Sequence, residues 1–229
     1  MQTNRSTSQL PEMGELWQDT LDWQPTSAQQ QKFQELYEAI VAGNRQLNLT
    51  RITEPVAFWE KHLWDSLRGL QPLWERNIIE RAIDIGTGGG FPGLPAAIVR
   101  PDWHVTLLDS TRKKTAFLET LLSNLAIENA TILTGRAEVL GHLPQHRQTY
   151  DLALIRAVGS PLLCAEYALP FLKPGGVAVL YRGLLTDEDR ETLQSTVARF
   201  GGTVEWVEAF TTPIDRAVRH CVYLRKLDL

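Results

Sequence analysis

Residues 84–93 read DIGTGGGFPG, five glycines and one proline in ten positions, directly after the short run RAI at 81–83. Glycine lacks a Cβ, so it lets the backbone turn through left-handed conformations and lets a ligand come close to the chain. The stretch parses in two ways. Gly88, Gly90 and Gly93 satisfy GxGxxG, in which a helix N-terminus faces a pyrophosphate. Asp84, Gly86, Gly88 and Gly90 give DxGxGxG, in which a carboxylate stands at the end of a strand. Asp84 would repel a pyrophosphate but suits a cationic ligand, such as one with an amino group and a sulfonium. Phe91-Pro92-Gly93 opens a helix, with Pro92 suited to its first turn.

Outward from the loop, the chain alternates between two periods. RAIDI, HVTLLD, ATIL, YDLALI and VAVLY are short, β-rich apolar runs, and helical stretches such as TRKKTAFLETLLSNL and GSPLLCAEYALPFL lie between them. Strand alternating with helix predicts βαβ units, a parallel sheet and helices on both faces. VEWVEAF and HCVYLRKL have no helix between them and predict an antiparallel pair closing one edge. Before the sheet, SAQQQKFQELYEAIVAG sets Phe33, Leu36, Tyr37, Ile40 and Val41 at helical spacing, with Ser27 or Thr26 as cap and Gly43 as the expected left-handed stop. A second helix is expected from about Thr53, with Pro55 in its first turn and a stripe of Val56, Trp59, Leu63, Leu67 and Leu70. Residues 1 to about 24 show no period. The expected division is a helical extension over 1–75 and an α/β core over 76–229.

No run approaches the ~18 uncharged apolar residues of a membrane span, and the N-terminus has no apolar segment of signal-peptide type. A cytoplasmic protein is expected. Cys164 and Cys221 are too few for a disulfide framework and too far apart for a CxxC metal site, so two buried free thiols and no metal are expected. A net charge of −4 argues against coating nucleic acid by bulk positive potential, and leaves room for a local basic face.

Ligands of open α/β sheets bind beyond the carboxyl ends of the strands. HVTLLD delivers Asp109 there, where an acidic side chain accepts from ribose hydroxyls; it is equally placed to cap the helix that follows. Gly135-Arg136-Ala137-Glu138 follows the third strand, and Arg156 ends the fourth. An arginine at that rim needs an acidic partner, either a ligand carboxylate or a neighbouring side chain. No tyrosine has a lysine four residues on, which removes the Tyr-x-x-x-Lys pair of a short-chain dehydrogenase.

With this loop, strand series and antiparallel end, the chain resembles a class I S-adenosylmethionine-dependent methyltransferase: a Rossmann-like, mostly parallel seven-stranded sheet with an antiparallel last strand. More closely, NLT at 48–50, HLWDSL at 62–67, IDIGTGGGFPGLP at 83–95, VTLLDSTRKK at 105–114, GRAE at 135–138, RAV at 156–158 and LPFLKPGG at 169–176 look like the RsmG (GidB) family. Its members are bacterial 16S ribosomal RNA guanine-N7 methyltransferases. The resemblance implies S-adenosyl-L-methionine as cofactor, held by Gly86 and Phe91 on the methionine side, by Gly88 of the same loop, and by Asp109, Ser110 and Thr111 at ribose and adenine. Ala137 and Glu138 would border the adenine, and Arg156 would meet the cofactor's polar end. It places Asn48, Arg51, His62 and Asp65 at the substrate mouth, and 16S ribosomal RNA in the small ribosomal subunit as partner. Lys61 stands where the family often has arginine, and YRG at 181–183 replaces its usual lysine-glycine ending.

The chemistry agrees with that implication. Guanine N7 carries a lone pair and no proton, so no general base is required and no catalytic acid or base is nominated. No Asn-Pro-Pro-Tyr motif follows the fourth strand, and Cys164 sits in an apolar helix as a core residue. Expected RNA-facing cations include Arg45, Arg51, Lys61, Arg68, Arg112, Lys113, Lys114, Arg182, Arg216 and Arg219. A small-molecule methyltransferase and a non-catalytic ribosome-assembly factor keeping the fold are the competing functions.

Overall fold

The computed structural model describes residues 9–75 and 79–228. Strands β1 (Arg81–Ile85), β2 (His104–Asp109), β3 (Ala130–Thr134), β4 (Tyr150–Arg156), β5 (Leu172–Arg182), β6 (Gly202–Thr211) and β7 (Val218–Lys226) form one sheet in the order β3-β2-β1-β4-β5-β7-β6. The first five pair in parallel, and β7 runs antiparallel to both β5 and β6. The order reverses between β1 and β4, which opens a crevice beyond their carboxyl ends.

Strand side chains alternate between two cores, as a pleat requires. Leu152, Leu154, Val177, Val179 and Tyr223 join one apolar cluster, and Ala153, Ile155, Ala178, Leu180 and Val222 join the other. The first cluster is covered by α5 (Gly93–Val99), α6 (Arg112–Asn124) and the N-terminal helices; the second by α8 (Pro161–Ala168) and α9 (Asp187–Thr196). Cys164 and Cys221 are both free and buried, one in each cluster. Among the described residues, no helix is long and apolar enough to cross a membrane.

The N-terminal helices depart from expectation in three places. Gly14–Leu21 forms α1, which buries Trp17 and Leu21; two residues four apart in so short a helix leave no readable period. Helix α2 (Ser27–Leu47) starts on a Thr26–Gln29 capping box but runs through Gly43, and Asn48 takes the left-handed stop at φ 48°. Gly43 serves contact instead: a Cβ there would lie 2.4 Å from the Phe117 ring of α6. The next helix is not continuous. It comprises α3 (Pro55–Phe58, capped by Glu54), a π-helical turn (Trp59–Trp64) and α4 (Asp65–Arg68). Of its expected stripe, Val56 is exposed and Trp59, Leu63, Leu67 and Leu70 are buried. The wide turn also buries Glu60 and His62, so the element faces the protein on several sides. Glu60 accepts hydrogen bonds from the backbone of Ile214 and Asp215, tying the turn to the segment between β6 and β7. Residues 1–8 and the expected division at 75/76, which falls beside residues 76–78, lie outside the described residues.

Candidate functional site

The glycine loop leaves β1 with Gly86, Gly88 and Gly90 all at positive φ, 71°, 60° and 98°. At Gly86 the contact is as restrictive as the angle, because a Cβ would lie 2.6 Å from Val158 Cγ2. Asp84 is fully buried. Its Oδ2 accepts from Thr87 Oγ1 at 2.5 Å and from the Gly93 amide at 2.8 Å. The first free amide of α5 is therefore spent on the protein's own carboxylate, which removes it as a pyrophosphate donor and decides between the two readings of the loop. Oδ1 of Asp84 is buried with no hydrogen-bond partner among the described residues. Burial pushes the Asp84 carboxyl up to about 6, against the opposing effect of the hydrogen bonds from Thr87 and Gly93.

Beyond the strand ends lies a cleft of about 210 Å³ lined by Gly86, Asp109, Ser110, Ala137 and Glu138, together with Val158, Leu163 and Tyr167. Asp109 accepts from the Gly88 amide at 3.0 Å and from the Thr111 amide at 2.8 Å. It thus pins the loop and the start of α6 together and also lines the cleft; a carboxylate has about four lone-pair sites, so acceptor capacity remains beyond these two bonds. Thr111 stands at the N-cap position of α6 without a side-chain capping bond, and Gly88 is held by Asp109; neither lines the cleft. Leu163 and Tyr167, four apart on α8 and so on one face, read as ordinary core positions in sequence.

A second recess, about 480 Å³, opens at the end of β4 and is lined by Lys61, His62, Asp65, Arg156, Tyr181, Arg182 and Arg219 among others. Arg156 anchors it. Nη1 donates to the Lys61 carbonyl at 2.8 Å and to Asp65 Oδ2 at 3.1 Å, and Nη2 lies 3.2 Å from His62 Nδ1. The acidic partner required of Arg156 is thus Asp65, from the π turn's edge. A guanidinium only donates, so Nδ1 of His62 accepts and its proton sits on Nε2, directed to Thr50 Oγ1 at 2.8 Å. The imidazole stacks on Phe91, centroids 4.4 Å apart. Burial, then the nearby Arg156 charge, lowers the His62 pKa to about 3. His62 is a buried neutral connector. Ala157, next along, holds φ at 57°, a left-handed angle that costs a non-glycine residue about 1 kcal/mol and turns the chain sharply at the crevice.

Asn48 and Arg51 line neither space: Asn48 ends α2, and both are exposed. Arg68, expected to face RNA, pairs with Glu208 and covers the Phe210 ring. Lys61 forms an ion pair with Asp215 at 3.1 Å and still lines the recess. Thr50, the hydroxyl that orients His62, belongs to the quoted NLT run but carried no local signal of its role.

The adenosine-sized cleft, the left-handed glycine loop and the orphaned buried carboxylate oxygen of Asp84 fit a nucleoside ligand with a cationic tail, and the sheet order is that of class I S-adenosylmethionine-dependent methyltransferases. The chain belongs to the family described as GidB, rRNA small subunit methyltransferase G, which matches residues 29–222. It is 58% identical to the ribosomal RNA small subunit methyltransferase G of Trichormus variabilis, covering 96% of this chain and 92% of that protein. The protein of the same description from Trichodesmium erythraeum is 54% identical, covering 95% and 87%. Solved structures share the fold at lower identity. A 16S rRNA adenine-N1 methyltransferase from Catenulisporales acidiphilia superposes with a TM-score of 0.53 at 17% identity, over 65% of this chain and 85% of that one. A branched-chain polyamine synthase from Thermus thermophilus, in complex with 5'-methylthioadenosine, gives 0.57 at 15%, over 72% and 57%.

Proposed function

We propose that this enzyme transfers a methyl group from S-adenosylmethionine to N7 of a guanine in 16S ribosomal RNA, within the small ribosomal subunit in the cytoplasm. One observation carries the choice of atom: the imidazole and the carboxylate gathered at the end of β4 are already engaged. His62 has both ring nitrogens hydrogen-bonded and stays neutral, and Asp65 is bound to Arg156. A nucleophile that must lose a proton would need a free base here. Guanine N7 needs none.

The sulfonium supplies an activated methyl group, and the protein's task is in-line positioning, which can contribute several kcal/mol. Gly86, Asp109, Ser110, Ala137 and Glu138 would hold the adenosine in the smaller cleft, and Gly88 and Thr111 would support it through Asp109. Asp84, buried and lining neither space, would favour the cationic end through the field of its charge rather than by contact. Phe91 would act by backing His62, and Arg156 by fixing Lys61, His62 and Asp65 at the recess. The recess, with three cations besides Arg156, suits a polyanion better than a neutral metabolite. N7 lies on the major-groove edge, which is deep and narrow in A-form RNA, so the target base must be unpaired or splayed. The N-terminal helical extension, residues 1–75, supplies the recess with Lys61, His62 and Asp65.

Small subunits from cells lacking the enzyme, incubated with protein and tritium-labelled cofactor, should gain one 7-methylguanosine by mass mapping of their RNA. Label on an adenine or on an exocyclic amine would overturn the choice of atom. No incorporation into subunits or their RNA would overturn the reading.

A further inference from the structure

On the other edge of the sheet lies a second cleft, of about 360 Å³, lined by His142, Arg147, Glu166, Arg199, Phe200 and Lys226 with intervening backbone. Gln148 and Thr149 donate to the carbonyls of Pro170 and Phe171, which docks the chain before β4 against the turn before β5. Lys226 ends β7, which runs antiparallel and so returns to this same edge. Three permanent cations therefore face one acid, Glu166, in a protein whose net charge is −4. Among the described residues, neither Arg147 nor Arg199 has an ion-pair or side-chain hydrogen-bond partner. Lys226 is half-buried and donates to the Phe200 carbonyl at 3.1 Å. Its pKa is lowered, first by burial and then by the Arg147 charge.

Three cations that outnumber the single acid in a concave site repel one another, and an anion relieves that repulsion. Two guanidinium forks match phosphate oxygens, and the half-buried Phe200 lines the cleft beside them. The seven residues of β4 span this edge and the Arg156 edge, about 20 Å at ~3.3 Å per residue. That exceeds the Debye length of about 8 Å at physiological salt, so the two basic sites do not act as one field. A single ligand that uses both must be a long polyanion.

We propose that this cleft is a second RNA-backbone site, which grips phosphates of the substrate RNA away from the target base and raises affinity through avidity. The inference rests on the proposed function only for the identity of the RNA. A tethered second contact raises the effective concentration of the first, with no new contact at the reaction centre.

The test is the double variant R147E/R199E, with R147K/R199K as the charge-keeping control. Both positions are exposed, so unchanged melting and cofactor affinity serve as the folding check. With small subunits as substrate, R147E/R199E should raise KM at least about tenfold, while R147K/R199K stays within about threefold of the parent. In filter binding to naked 16S RNA, loss of two phosphate contacts should lower the slope of log affinity against log salt by about 1.4. Unchanged KM and slope in R147E/R199E would overturn the proposal. Weakened binding to whole subunits with unchanged binding to naked RNA would also overturn it, and would assign the cleft to an acidic protein surface. If the parent protein methylates nothing, yet the charge reversal still weakens binding to naked RNA with the lower slope, the functional reading fails and this site stands.

Discussion

His62 and Asp84 titrate away from the ordinary ranges of their exposed counterparts, and each makes a pH prediction. The buried imidazole titrates near 3, against 6.5 for an ordinary histidine. Above pH 6.5 it is neutral whether the chain is folded or not. Below that, the unfolded chain takes up the proton first, so stability is lost as pH falls from about 6.5 to about 3, at up to ~1.4 kcal/mol per pH unit. His62→Asn keeps an acceptor near the Nδ1 position and removes the titration. The stability gap between parent and H62N, from urea melts, should therefore shrink as pH drops from 7 to 4.5; a constant gap would mean His62 is solvated. Asp84 has the opposite sign. Its folded value near 6 lies above the ordinary 3.8, so its contribution to stability is lost as pH rises between those values, and it is ionised at neutral pH. If its charge attracts the cofactor's cationic end, S-adenosylmethionine affinity should rise severalfold from pH 5 to 7.5. Asp84→Asn should flatten that rise in titration calorimetry; an equal rise in both proteins would remove Asp84 from the site.

The broken helix from Pro55 to Arg68 is the element on which the recess depends, and Gly69 just after it marks how closely it lies on the sheet. Gly69 has an ordinary helical φ of −69°, so its small size matters and its flexibility does not. A Cβ there would lie 2.4 Å from the Tyr181 ring, which is buried and bonded through its hydroxyl to the Ser66 carbonyl at 2.8 Å. With no room to swing, Gly69→Ala should cost about 1–3 kcal/mol by overpacking. Tyr181→Phe keeps the ring and loses only the hydrogen bond, so it should cost about 1 kcal/mol. Chemical melts that ranked the two variants the other way would place the strain elsewhere. The strands, the helix phases, the antiparallel end and the glycine loop were legible in the sequence because each is set by local sterics and short periods. The π turn was not, because 59, 63, 67 and 70 keep a helical spacing whether or not a residue is inserted. Nor was the Gly43 contact, which depends on Phe117 of a distant helix. The Arg156 network joins residues 91 to 95 positions apart, so sequence could require a partner for the arginine and could not say that Asp65 supplies it. Asn48 and Arg51 followed from resemblance alone, and their exposed positions away from both spaces leave them unsupported by this geometry.

At the scale of the whole molecule, charge is distributed against the average. A chain of net −4 gathers Lys61, Arg156, Arg182 and Arg219 around one recess with Asp65 as the acid in its lining. Asp65 already neutralises Arg156. Lys61, Arg182 and Arg219 are therefore the cations left for phosphates, since the ion pair of Lys61 with Asp215 is about one-third exposed on both sides and weakly held. Each phosphate neutralised on a single strand releases condensed counterions, giving a slope near −0.7 in log affinity against log salt. Three contacts give about −2, so raising salt fourfold should weaken binding of an RNA fragment carrying the target guanine roughly fifteenfold. S-adenosylmethionine is a small ligand with no condensed counterions to release, so its affinity should move less than about threefold over the same range. Reversing Arg219, which has no ion-pair partner among the described residues, should remove about 0.7 from the slope and leave cofactor affinity alone. A flat salt response for RNA, with transfer intact, would mean that the recess binds the base without its backbone and that ribosomal proteins supply the grip. The paired measurement of fragment and cofactor on one protein sample separates that outcome from a general salt effect on the fold.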